Sequence, residues 1–402
     1  MEVNIVARRG AGGGAGQGYG VNVEVSNIKG MEEPEARASW TWEEISTDWL
    51  AGNLLAIPPA DTVAAFNTVD KALGRAWMEA SRTHSGVQVR GTEPTLGVVT
   101  AGQMIANLDG VAGADRLVEG LRKREQSIVA ELTAVHLIRL GDPTVSVEIG
   151  PVAQVGARSR KPDFRLRREG EPWVYVEVTQ PDVAEAQTRA QAVLNRFADL
   201  VQPIKRSFAL EIFLRREPTD TEISELADLV PQFCTLKGDQ SRDLPGLAIL
   251  SLNASAPGLV VPFDHPAEPN VPRLLRVRAI FGPDEPHRHI SVRMAYADDR
   301  AEAFLRRKAK QLPNDSPGLI MVQMSRAPGG VKSWEPILKR RFQRGLHTRV
   351  GAVCLFRCGH ELTPDGEAWV PEAKFISNPH ARFPLAAWIR EALSRVAPAR
   401  TP

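Results

Sequence analysis

The chain has 402 residues, long enough for two domains with cores of their own. Hydrophobic residues make up 43% and charged residues 24%, the balance of an ordinary globular protein. Lys and Arg total 50 against 48 Asp and Glu, a net charge of +2, which excludes a generally polycationic nucleic-acid coat and leaves polyanions to local patches.

No apolar run approaches the roughly 20 residues of a membrane span. The basic pair Arg8-Arg9 has no apolar segment behind it, so the N-terminus does not read as a secretory signal. Three cysteines are too few for a disulfide scaffold, and a reducing cytoplasm is the expected setting. Cys354, Cys358 and His360 have a metal-like spacing but no fourth ligand nearby. Cys354 also sits in the apolar run 351–356, which reads as a buried strand, so it is expected to be structural.

In chain order, residues 1–27 read as strand, glycine loop, strand. A phosphate-cradling loop needs a following helix and a Lys-Ser/Thr pair, and neither follows Gly20, so the loop is expected to be a turn. Residues 40–115 are mainly helical and Ala-rich with no catalytic constellation, making 1–115 an N-terminal accessory region. From Val118 the pattern sharpens: Leu121, Ile128, Val129, Leu132, Val135 and Ile138 recur at helical spacing until Gly141 and Pro143. A strand over 145–149 follows, then two strands over 161–166 and 173–179 joined by a polar turn. Pro181 ends the last strand, Asp182 caps a helix to about Leu200, and a strand spans 208–214. Residues 216–402 continue as an α/β segment with basic helices near 299–312 and 333–346 and strands near 289–296, 319–324 and 350–356.

The hairpin carries the chemistry. Centred on Gly170, it pairs residues whose numbers sum to 340, so Asp163 faces Glu177 and Lys161 faces Thr179. The two-residue period puts Lys161, Asp163, Tyr175, Glu177 and Thr179 on one face and Phe164, Leu166, Val174, Val176 and Val178 on an apolar, core-facing one. Two opposed carboxylates repel unless a proton or cation sits between them, and Mg²⁺ or Mn²⁺ suits hard oxygen ligands. Glu131 lies at the edge of the preceding apolar helical stripe and can supply a third carboxylate; Glu125 and Glu148 are rivals.

A helical Glu, a strand with Pro162-Asp163, a strand with Glu177-x-Thr179, then a helix and a strand, resembles the PD-(D/E)XK nuclease superfamily over about residues 116–215. The resemblance implies an α/β fold with a restriction-endonuclease-like αβββαβ core and a mixed sheet. It also implies a bacterial, metal-dependent endonuclease that cuts nucleic-acid phosphodiesters, with Asp163 and Glu177 on the metal and Glu131 assisting. The sequence departs from the family in one place, since Thr179 stands where the third motif has Lys. Lys161, set across from Thr179, is the expected substitute; adjacent Gln180 points to the other face by alternation.

Arg158, Arg160, Arg165 and Arg167 crowd the hairpin and, with Gln180, are the candidate nucleic-acid contacts. The expected partner is nucleic acid, DNA ahead of RNA, with no membrane; a second copy or a protein partner is the other association to weigh. The basic runs at Arg306-Arg307-Lys308 and Lys339-Arg340-Arg341 read first as solvated helix faces. Because threonine carries no charge, a catalytically silent member of the same fold that binds nucleic acid or serves as a structural subunit is the alternative function. A plain interaction protein with a solvated acidic pair is the third.

Overall fold

The computed structural model describes residues 2–6, 39–50, 55–83, 94–155, 158–181, 185–216, 218–254, 274–280, 288–295, 300–325 and 330–396. The glycine loop, the strand expected after it and Asp182 lie outside them. Strand β1 (Glu2–Val6) is followed by helices α1 (Trp42–Asp48), α2 (Pro59–Leu73), α3 (Arg75–Thr83), α4 (Pro94–Ala106), α5 (Ala114–Arg122) and α6 (Gln126–Gly141). Local chemistry sets several of these ends. Thr41 accepts from the Glu44 N–H at the start of α1, and Pro59 opens α2, where its missing N–H costs nothing. Trp40, Trp49 and Phe66 meet edge to face and anchor the helical region. The periodicity from Leu121 to Ile138 reads as one helix, but Arg124 adopts φ 59° and breaks it in two. Leu121 therefore belongs to α5, and Glu125 becomes the exposed first cap of α6.

Strands β2 (Ser146–Ile149), β3 (Ala153–Val155), β4 (Arg158–Arg160), β5 (Phe164–Arg167) and β6 (Val174–Thr179) come next. The unit that follows holds α7 (Glu185–Val201), β7 (Phe208–Leu214), α8 (Asp220–Cys234), β8 (Gln240–Leu244), β9 (Ala248–Asn253), β10 (Leu274–Ile280) and β11 (Arg288–Ala295). The chain closes with α9 (Arg300–Ala309), β12 (Gly318–Gln323), α10 (Gly330–Arg341), β13 (Val350–Thr363), β14 (Gly366–Ser377) and α11 (Ala387–Val396). None of the described helices is long and apolar enough to cross a membrane.

The protein is α/β with mixed sheets. One six-stranded sheet runs β14-β13-β12-β6-β5-β2, with β6, β12 and β13 parallel and β14 and β5 antiparallel to their neighbours. A second six-stranded sheet runs β1-β10-β11-β7-β9-β8. Strand β7, expected to belong to the same core as β6, lies in this second sheet, and β12 takes the parallel place next to β6. Local periodicity marks a strand but not its partner, so the 138 residues between β6 and β12 hid the true neighbour.

The first sheet is covered on both faces. Phe164, Leu166, Val174, Val176 and Val178 are all buried on the side of α6 and α11, where each contributes roughly 1.5–3 kcal/mol of hydrophobic stabilisation. Ile320, Val322, Val353 and Leu355 point the other way, against Leu305 of α9 and Trp334 of α10. Gly141 at the end of α6 lets α11 approach so closely that a Cβ there would lie 2.1 Å from the Ala392 carbonyl oxygen. Cys354 is fully buried and Cys358 nearly so, as expected of structural thiols, and burial pushes the Cys354 thiol up to about 12.

Candidate active site

The expected hairpin register holds: Phe164 pairs with Val176, Arg165 with Tyr175 and Leu166 with Val174. Pairing stops just before Asp163. There the Asp163 carboxylate replaces a backbone partner, with Oδ2 accepting from the Val178 N–H at 2.6 Å. The sheet thus opens at one end of the hairpin, beside Glu177 on β6. Glu177 is 2% exposed. A buried carboxylate without a partner is costly, so a cation is required nearby.

That cation is Lys308 of α9. Its Nζ lies 2.8 Å from Glu177 Oε2 and 3.7 Å from Asp163 Oδ2. Lys308 sits on the flank of the α9 face that buries Ala301, Leu305 and Ala309, which steers its ammonium inward while Arg306, Arg307 and Lys310 face solvent. Glu131 of α6 is 7% exposed and is met by the Arg116 guanidinium from α5. Helix α5 is docked here by Gly113, whose φ of 76° and close approach to the Ile149 carbonyl leave no room for a side chain. The Ile149 N–H in turn donates to the Ala112 carbonyl oxygen at 2.8 Å.

Glu131, Asp163, Glu177, Arg116 and Lys308 form one electrostatic unit. Burial first, then the Asp163 charge, pushes Glu131 up to about 7 against the pull of Arg116. The same two causes push Glu177 up to about 7 against the pull of Lys308. Among the described residues no group of three or more His, Cys, Asp or Glu side chains gathers tightly enough to hold a metal ion. Asp163 and Glu177 alone still match Mg²⁺, which usually takes one or two carboxylates and completes its octahedron with water and phosphate.

The other sequence candidates are spread out. Lys161 is exposed and forms no ion pair among the described residues. Thr179 is half-buried and pairs with Val322 across β6 and β12; Gln180 follows it, also half-buried. Glu148 is tied to Arg165 at 2.6 Å, and Arg165 and Arg167 flank the Trp173 ring at 4.3 and 4.4 Å. Arg160 is exposed on β4, where Arg158 stands opposite Val155. His136 is buried, hydrogen-bonded to Asn107 and edge-on to Trp369, and burial pushes it down to about 4, as fits a packed neutral imidazole.

Two residues of the site were missed from the sequence. Arg116 carries no local signal. Lys308 had one, its place one residue before Ala309 on the apolar stripe of an otherwise solvated basic helix. Comparison with family models, with curated proteins and with solved structures gives no match to this chain.

Proposed function

We propose that the chain is a divalent-metal-dependent nuclease with a PD-(D/E)XK-like core, hydrolysing phosphodiester bonds in nucleic acid, DNA ahead of RNA. The observation that carries this reading is the Lys308 ammonium beside Asp163 and Glu177, which fills the role left open by Thr179. The element order lends a second support. Helix α6, strands β2, β5 and β6, then α9 and β12 after the inserted unit, run as αβββαβ.

Mg²⁺ or Mn²⁺, held by Asp163 and Glu177, would supply Lewis-acid polarisation of the phosphate and a more acidic attacking water. The remaining work belongs to side chains of the chain itself. Lys308 orients the attacking water through its ammonium hydrogens and stabilises the negative charge that builds on the phosphate oxygens. Asp163 is fixed by the Val178 N–H, so its second oxygen keeps a constant direction. Glu131 adds negative charge from the α6 side, and Arg116 holds its carboxylate in place.

Labelled single-stranded DNA, double-stranded DNA and RNA, incubated with Mg²⁺, Mn²⁺ or EDTA, test this directly. Cutting that needs the metal and disappears in Asp163→Asn is the expected result. No cutting of any substrate, with Mn²⁺ still raising the melting temperature of the wild type alone, would favour the second reading, a silent fold used for binding, which the threonine at 179 supports.

A further inference from the structure

Residues 300–349 carry twelve Lys and Arg against three Asp and Glu, within a chain whose net charge is +2. The rest of the chain is therefore net negative overall, and this stretch carries a large local excess of positive charge. The fold gathers it further. Arg341, the last residue of α10, pairs with Glu302 in the first turn of α9, which sets the two helices and the start of the loop after α10 side by side. Arg349 donates to the Leu312 carbonyl oxygen at 3.2 Å, fastening that loop to the chain leaving α9.

The loop is a built surface. Buried Asn378 donates to the carbonyl oxygens of His347 and Val350 at 3.2 and 2.9 Å, and the Arg382 N–H donates to the Thr348 carbonyl oxygen. His347 adopts φ 52°, a left-handed backbone within the loop. Among the described residues Arg306, Arg307, Lys310, Arg340, Arg344 and Arg382 are all exposed and none forms an ion pair. Self-repulsion among unpaired cations held on rigid elements is unfavourable unless a polyanion offsets it.

We propose that this α9–α10 surface is where a nucleic-acid backbone docks, in place of the hairpin arginines that the sequence favours. This rests on the nuclease reading for its purpose, because α9 presents Lys308 to the carboxylates from the same helix. Two of the hairpin arginines are already held in ion pairs, Arg165 with Glu148 and Arg168 with Asp142, whereas Arg160 and Arg167 are exposed. Ten residues of α9 span about 15 Å, enough for roughly four phosphates at one per 3.4 Å of strand. Unpaired Arg and Lys at this spacing recognise phosphate without reading sequence.

Fluorescence anisotropy with a labelled DNA duplex and its single strand, in EDTA so that nothing is cut, tests the surface. The full chain is compared with Arg306→Glu/Lys310→Glu/Arg344→Glu, with the milder Gln triple, and with Arg160→Glu/Arg167→Glu; matching melting curves certify the folds. The surface predicts at least a tenfold loss for the Glu triple, a smaller loss for the Gln triple, and less than threefold for the hairpin pair. It also predicts that the log–log salt slope falls by roughly 2 to 3 in the Glu triple. Equal binding by the Glu triple, a larger loss in the hairpin pair, poly-glutamate binding as tight as DNA, or no DNA binding by the wild type would each overturn it. A triple that loses binding while the wild type cuts nothing leaves the surface standing and removes only the nuclease.

Discussion

The Nζ of Lys308 lies 2.8 Å from Oε2 of Glu177, although the two residues are 131 positions apart in the chain. The contact ties α9 to β6 across the inserted α7–β11 unit, and it neutralises a carboxylate that would otherwise be buried alone. Its consequences for stability and for chemistry can be separated.

Removing the ammonium strands the Glu177 charge. Lys308→Ala is expected to cost about 3 kcal/mol at pH 8, the usual penalty for breaking a buried pair, and less at pH 5.5, where Glu177 is protonated. Urea denaturation at the two pH values measures this. An equal cost at both would mean that the lysine acts by packing alone.

Glu131 and Glu177 hold their protons to about pH 7 in the folded state, against an ordinary value of 4.5. The folded protein therefore binds more protons than the unfolded chain between those values. The stability these groups contribute is complete below about 4.5 and is lost as pH rises through about 7. Glu131→Gln and Glu177→Gln should each flatten the fall in stability between pH 5 and pH 8. A double variant with the same slope as the wild type would contradict the assignment.

The part of the site that lies on one hairpin was legible in the sequence. A turn about Gly170 and strict apolar alternation fix the register, which runs as far as Phe164 opposite Val176 and brings Asp163 and Glu177 to the same end of the hairpin. The part that depends on long-range packing was not. Nothing local says that β6 will pair with β12 and not β7, and the lysine travels with β12's neighbour α9. The break at Arg124 was hidden for a similar reason. Leu121 and Ile128 both face one core, so the apolar spacing survives a change of helix.

Arg116 competes with any other cation for the Glu131 carboxylate. In Arg116→Gln, the Mn²⁺ concentration that half-saturates thermal stabilisation should fall several-fold, with a change in baseline stability of about 1 kcal/mol because the arginine is half exposed. Added to Glu131→Gln, the same change should have no further effect. A half-saturation unchanged by Arg116→Gln would show that the arginine is only structural.

The close approach of α6 and α11 depends on Gly141. Gly141→Ala would press a methyl group onto the Ala392 carbonyl and is expected to cost about 2 kcal/mol or more, read as a lower urea midpoint at unchanged slope. A neutral result would mean that the two helices can part without loss.

The most direct test of the account sets the two lysines against each other. Cleavage of labelled DNA in Mg²⁺ is measured for the wild type, Lys308→Ala and Lys161→Ala, with folding checked by melting. The rate is expected to fall at least a hundredfold in Lys308→Ala and to stay within about threefold in Lys161→Ala. Full activity in Lys308→Ala, or its loss in Lys161→Ala, would contradict it.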